Sequence, residues 1–180
     1  MQASKQNITR QKGFSLIEAL VAFLVLSVGM LGIASMQTLA IRAGETATWR
    51  SAAVVKVEEI MERIRSNKTV LAAYISGTGN SGTNHGCDDL AGSVVSCTPT
   101  QVAQYDVFQW KQGLIEVLPP DPITTTGSIV VLPPAVPGQG VSTVTVTVSW
   151  LEPRQSRDEA AGMDTQSYSA TANICGALSC

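Results

Sequence analysis

From Phe14 to Met36 the chain reads FSLIEALVAFLVLSVGMLGIASM, 23 residues with a single charge, Glu18. A helix of that length crosses the hydrocarbon of a bilayer, so the rest of the chain must either hang from this segment or be cut from it. Ahead of it lie Lys5, Arg10 and Lys12 and no acid. Basic flanks stay in the cytoplasm, and everything after Met36 is therefore expected on the far side of the membrane. A cleaved secretory signal would have a shorter apolar core and a small-x-small site. Ala34, Ser35 and Met36 make a poor site, and the helical pattern runs on through them, so a cut there would split a helix. A retained anchor is expected.

Composition narrows the choices for the remainder. With 44% hydrophobic and 14% charged residues, the chain is neither a disordered acidic tail nor a basic nucleic-acid binder, and no nucleic-acid partner is expected. The formal net charge is -2; without the three leader cations the other nine basic and 14 acidic residues give -5. That sign provides no electrostatic reason to seek phosphates or anionic lipid. Glu18 is the oddity. An acid at membrane depth costs about 2.5 to 3.5 kcal/mol on insertion scales and less near the interface, so Glu18 either stays hydrated at the headgroups or has a partner.

Lys12-Gly13-Phe14-Ser15-Leu16-Ile17-Glu18 resembles the processing site of type IV prepilins: a basic leader, a Gly before the cut, a Phe after it, and a Glu further on inside an apolar helix. The resemblance implies that a membrane aspartyl prepilin peptidase cuts between Gly13 and Phe14 on the cytoplasmic side and methylates the new amino group of Phe14. The residue types suit that chemistry. Gly13 has no side chain and lets the backbone lie extended against catalytic groups. The cut frees an amine with a pKa of about 8 at the edge of the apolar helix. If Glu18 of one subunit meets the Phe14 amine of a neighbour, two poorly solvated charges become one pair, which fixes axial register more than it adds stability.

Beyond the anchor, Met36, Ala40, Ala43, Ala47, Val54, Val57, Met61 and Ile64 recur at helical spacing, with Lys56, Glu59 and Arg63 on another face and Glu59 to Arg63 in the favourable i,i+4 order. No Gly or Pro interrupts Glu45 to Ser76, and one helix is expected from about Phe14 to about Ile75. Gly29 and Gly32, with Ser27 and Ser35 nearby, weakly favour close helix packing. Major pilins of the family usually carry a Pro in this stretch; Ser35 stands near where it would fall, which points to a minor subunit.

Residues 76 to 104 are rich in Gly, Ser, Thr and Asn and read as a long loop. Cys87 and Cys97 could tie it, and Cys175 and Cys180 could tie the C-terminus. Cysteines in a domain outside the cytoplasm imply disulfides; among the open connectivities, the sequential one closes the shortest loops and is the expectation. His85, Cys87, Asp88 and Asp89 form the rival reading, a metal site, but they lack a zinc-type spacing. Tyr105 to Leu118, carrying Phe108, Trp110, Leu114 and Ile115, suits a short helix ended by Pro119 and Pro120. Ile129 to Leu132 is a short strand. Ser142 to Leu151 alternates Val144, Val146, Val148 and Trp150 with Thr143, Thr145, Thr147 and Ser149, a half-buried strand, and a polar loop from Glu152 to Thr165 precedes the alternating Tyr168, Ala170, Ala172 and Ile174. An antiparallel meander of this kind needs a cover, and the long helix provides it.

The expected fold class is therefore α+β, the pilin fold, with a long N-terminal helix packed on a C-terminal antiparallel β-meander. The expected division is a leader at 1–13, a membrane-anchor and filament-core half-helix at 14–36, and a periplasmic globular domain at 37–180. In outline the chain looks most like PilV-type minor pilins. That likeness implies a subunit held in the inner membrane by one span, its N-terminus cytoplasmic, that then enters the pilus, at its tip. The implied partners are prepilin peptidase, other minor pilins and the major pilin, the inner-membrane assembly platform and, in several systems, a tip adhesin. A type II secretion pseudopilin is the alternative, sharing the leader, the anchor and Glu18. A membrane-anchored periplasmic enzyme is the reading from another class. Against it, the chain has one histidine, His85, and no GxxxxGK[ST], GxSxG or HExxH, so nothing meets the requirements of an active site. Neither catalytic residue nor cofactor is expected.

Overall fold

The computed structural model describes residues 13–79, 81–88, 96–119, 125–134, 140–154 and 162–176. Lys5, Arg10, Lys12, Asp89, Pro120 and Cys180 lie outside them. The chain forms two compact units, Met1–Gly44 and Glu45–Cys180. Helix α1 (Leu16–Ser66) contributes to both.

In the first unit α1 starts where Ser15 offers its carbonyl to the backbone N–H groups of Glu18 and Ala19 at 3.1 and 3.3 Å. It runs unbroken past Gly29, Gly32 and Ser35. The hydroxyls of Ser27, Ser35 and Thr38 donate to the carbonyls of Phe23, Gly32 and Ala34 at 2.7, 2.8 and 3.1 Å, so these small polar groups are satisfied inside the helix, as a hydrocarbon environment requires. The large apolar side chains from Phe14 to Ile41 are all exposed. Among the described residues α1 is the helix long and apolar enough to cross a membrane.

In the second unit the remainder of α1 turns Thr46, Ala53, Val57, Ile60, Met61 and Ile64 inward. The expected stripe was partly out of phase: Ala47 and Val54 are exposed, while Ala53 and Ile60, each beside the expected line, are buried. The helix also ends earlier than expected. After Ser66 the backbone leaves helical geometry at Asn67 (φ -117°) and again at Val70 (φ -129°), and a 3-10 helix covers Lys68–Tyr74. The break lets Leu71 and Tyr74 reach the core, and Asn67 Nδ2 donates to the Pro99 carbonyl at 2.8 Å.

Helix α2 (Pro99–Val117) begins six residues before the expected Tyr105. Thr98 Oγ1 accepts from the Gln101 N–H at 3.3 Å and Gln101 Oε1 accepts from the Thr98 N–H at 2.9 Å; this reciprocal cap, with Pro99 in the first turn, satisfies donors the helix start would otherwise leave unpaired. Ala103, Val107, Trp110 and Leu114 are buried, and Leu118 just beyond the helix continues that line; Ile115 points outward.

Three strands, β1 (Thr126–Leu132), β2 (Val141–Pro153) and β3 (Met163–Cys175), form an antiparallel sheet in that order. The register sets Val144, Val146 and Val148 opposite Ala172, Ala170 and Tyr168 on the inner face, with Ile129 opposite Val146. On the outer face Thr143, Thr145 and Thr147 share hydrogen bonds with Asn173, Thr171 and Ser169 at 3.0, 3.1 and 2.8 Å. The expected polar loop from Glu152 to Thr165 is shorter in the fold, because β2 runs on to Pro153 and β3 begins at Met163. The hairpin is closed by the Arg154 N–H to the Gly162 carbonyl at 2.9 Å and by Arg154 to Asp164 at 2.8 Å. One core joins Ala53, Val57, Ile60 and Ile64 of α1, Trp110 and Leu114 of α2, and the inner valines of β2. The chain is thus α+β, a long N-terminal helix followed by a three-stranded antiparallel sheet.

Candidate processing and assembly site

Gly13, Phe14 and Ser15 precede α1, and Glu18 stands in its first turn, where the N-terminal end of the helix dipole favours an anion. A Cβ on Gly13 would meet nothing within 4 Å, so the chain's own packing gives no reason for glycine there. Phe14 is 84% exposed. The Glu18 carboxylate has no hydrogen bond or ion pair with any described residue, although the Glu18 N–H is bonded to Ser15. Gly13, Phe14 and Glu18 are therefore close along one exposed helix start and are not engaged by the fold.

The four cysteines divide by region. Cys87 and Cys97 form a disulfide. Cys175 is also disulfide-bonded, and Cys180 lies outside the described residues. The tied loop is held on α2. Gly82 (φ +72°) brings its backbone so near Phe108 N and Gln104 O that a Cβ would sit 2.5 and 2.8 Å from them, which glycine alone allows. The Thr83 N–H reaches the Gln104 carbonyl at 3.3 Å, and His85 Nε2 lies 2.7 Å from Gln104 Oε1. Asp88 hydrogen-bonds the Tyr105 hydroxyl, and that bond, reinforced by burial, raises the Tyr105 pKa. His85, Cys87 and Asp88 are thus occupied with structural partners, Asp89 lies outside the described residues, and no metal-binding group of side chains occurs among the described residues.

Of three polar clusters, only the Glu59 to Arg63 pair within the second was anticipated. Glu152, 3% exposed, accepts from Arg50 Nε at 3.1 Å and Nη2 at 2.8 Å and from Trp150 Nε1 at 2.9 Å. The Arg50 hydrogen bond holds its carboxyl below the ordinary range; burial opposes this, and Trp150 assists. The alternation held a signal for it, since Glu152 continues the inward parity of Val148 and Trp150 and so needs a partner. Arg63 links Glu59 and Asp106 at 2.8 and 3.0 Å, and the Tyr74 hydroxyl donates to Asp106 at 2.8 Å. Burial first, then this bond to a carboxylate, drives the Tyr74 pKa well above its usual value. Burial works against the charge of Glu59, but Lys56 and Arg63 outweigh it and hold that carboxyl low. Finally Lys111, 8% exposed, donates from Nζ to the Gly77 carbonyl and is pushed down by burial to about 8. The first two clusters join secondary elements to one another, and the third ties α2 to the segment after the 3-10 helix.

The long helix, the antiparallel sheet and the exposed helix start with its unengaged glutamate define a pilin-like architecture. The family of the type IV pilin Tt1218 matches residues 35–108, and the prokaryotic N-terminal methylation motif matches residues 8–34. No curated protein and no solved structure matches the chain. Taken together, the two adjoining matches support a type IV prepilin-like protein with a pilin or pseudopilin role, and proteins of this family are structural and not enzymes. The methylation motif implies processing by prepilin peptidase and assembly with other pilins, and with the long apolar helix it fits a protein anchored in the inner membrane and later part of a pilus.

Proposed function

We propose that this protein is a minor pilin of a type IV pilus, of PilV type, cut between Gly13 and Phe14 and N-methylated on Phe14. In this reading residues 1–13 are the leader, 14–36 the membrane anchor and later part of the filament core, and 37–180 the periplasmic domain. The subunit joins other minor pilins in a tip complex that primes assembly on the inner-membrane platform, receives the major pilin below it and supports a tip adhesin. The observation that carries the proposal is the Glu18 carboxylate, exposed in the first turn of an apolar helix and unpartnered among the described residues. Such a charge is costly in a membrane and is well placed to receive a neighbour's Phe14 amine. The unbroken course of α1 past Ser35, without proline, supports the minor-subunit reading.

Glu18→Gln tests it, because Gln keeps the size and loses the charge. The measurement is the ratio of this subunit in sheared pili to that in the membrane fraction at matched expression. Breaking a buried pair costs on the order of 3 kcal/mol, which at 1.36 kcal/mol per decade is about a hundredfold loss of recruitment, less where water reaches the pair. Processing after Gly13 is expected to survive. An unchanged ratio refutes the pairing role, and a subunit absent from wild-type pili but required for protein secretion would make it a type II secretion pseudopilin.

A further inference from the structure

Helix α2 has a second buried face. Ala103, Val107, Trp110 and Leu114 enter the core, but Tyr105, 7% exposed, belongs neither to that core nor to the side chains packed on it. Tyr105 and Phe108 stand three residues apart on another side of the helix, with Gln104 beside them, and their rings are stacked with centroids 6.4 Å apart. Among the described residues, the cover of this face is the strap formed by residues 82–88. Gly82 lies against Phe108, Thr83 and His85 bond to Gln104, and Asp88 bonds to the Tyr105 hydroxyl. Tyr105 is thus the centre of a satellite cluster under a loop, apart from the main core. Gly82 and Thr83 also line a cavity with Ala72, Ala73 and Val107, so the start of the strap is not close-packed on what lies beneath it.

The strap is fixed on both sides. Upstream, Ser76 exchanges two backbone hydrogen bonds with Ile129, at 3.0 and 2.8 Å. Downstream, Cys87 is bonded to Cys97, next to the Thr98 cap of α2. We propose that the Cys87–Cys97 disulfide is a redox lock on this strap: a dithiol reductant releases residues 82–88 from α2 and uncovers Tyr105 and Phe108, while the core stays folded. Both cysteines are half-buried and so within reach of an attacking thiolate. One thiolate of the reductant attacks a sulfur of the disulfide and forms a mixed disulfide. Its second thiolate then displaces the remaining cysteine, which leaves two cysteine thiols in this chain and one disulfide in the reductant. Once the lock is gone, the span between fixed points grows from 76–87 to 76–98, and no covalent bond limits the freedom of the released segment. What remains is a handful of hydrogen bonds outside the core, the kind of segment that opens by itself. The core joins α1, α2 and the sheet without any residue of the strap, so its packing does not depend on the lock. The inference does not depend on processing at Gly13 or on entry into a filament.

The test is hydrogen exchange of the full-length protein in detergent, wild type against Cys87→Ser/Cys97→Ser. The double variant isolates this bond, because Cys175 is also disulfide-bonded and a reductant could open both. Exchange in residues 82–88 is expected to rise by about tenfold to a hundredfold, with exchange in residues 53–64 and 144–150 unchanged. Nitration followed residue by residue is expected to increase at Tyr105 and to stay low at Tyr74, which is fully buried in the core. Asp88→Ala with the disulfide intact is expected to leave strap exchange near the wild-type value, because the disulfide and not this hydrogen bond holds the strap. Treatment of the folded wild type with dithiothreitol, then alkylation, is expected to label Cys87 and Cys97. Unchanged strap exchange in the double variant, faster exchange or unfolding of its core, an open strap in Asp88→Ala, or cysteines that stay unlabelled would each overturn the proposal.

Discussion

Glu152→Leu removes a carboxylate that is 3% exposed and accepts from Arg50 and from the Trp150 indole. The two donors respond differently to its loss. The Arg50 side chain is 59% exposed and rehydrates, so the ion pair stabilises little. Trp150 is 2% exposed, and its N–H is left without this acceptor at a cost of about 1–3 kcal/mol. Leucine burial returns part of that, which leaves a net loss of about 1–2 kcal/mol, below the 3–5 kcal/mol of breaking a fully buried pair. With a urea slope of about 2 kcal/mol/M, the unfolding midpoint should fall by roughly 0.5–1 M. The assay is urea unfolding of the full chain in detergent, followed by tryptophan fluorescence. Glu152→Gln keeps an acceptor oxygen for the indole and is expected to cost less than Leu, and Arg50→Met is also expected to cost less. Because Arg50 and then Trp150 hold the folded carboxyl below its ordinary value, its contribution is present above the unfolded value of about 4.3 and is lost as pH falls through the lower folded one. The wild-type advantage over Glu152→Gln should therefore persist as pH falls past the ordinary carboxylate value and disappear below the lowered folded one. An unchanged midpoint for Glu152→Leu, or an equal fall for Arg50→Met, would refute the reasoning.

Gly127→Ala places a methyl 2.5 Å from Trp110 Cη2 and 2.8 Å from Leu114 Cδ1, both in the core, and overpacking of that kind should cost about 1–3 kcal/mol in the same urea assay. Lys111, pushed down to about 8 by burial, has the opposite pH sign to Glu152: from about 8 to its ordinary 10.5 the unfolded chain holds a proton the folded chain does not, so stability rises with pH. Lys111→Gln should flatten that rise in unfolding midpoints measured from pH about 7 to 10.

Much of the second unit was legible because strands announce themselves by parity. The alternation from Val144 to Trp150 gives β2 its buried face, and Tyr168, Ala170 and Ala172 line up opposite it. What was missed has local causes. The break at Asn67 carries neither Gly nor Pro; it is driven by burial of Leu71 and Tyr74, which no nearest-neighbour pattern shows. The start of α2 was written in Thr98, Pro99 and Gln101, a capping signature hidden in a run of loop-like residues. Glu152 and Arg50 are 102 residues apart, and Lys111 finds its acceptor on Gly77, so only the folded chain reveals those partnerships. The processing motif was the reverse case: Gly13, Phe14 and Glu18 are plain in the sequence, yet among the described residues the fold gives their side chains no contact, as the proposed processing and pairing with other molecules would require.

The most direct measurement is the mass of the N-terminal peptide of this protein recovered from sheared filaments, for wild type and for Gly13→Val. The wild-type peptide should begin at Phe14 and carry one added methyl group, while the Val variant, whose β-branched side chain is stiff and bulky next to the cut, should remain full length in the membrane. A wild-type terminus at Met1 or after Ser35, or normal processing of the Val variant, would contradict the prepilin assignment of Gly13 and Phe14.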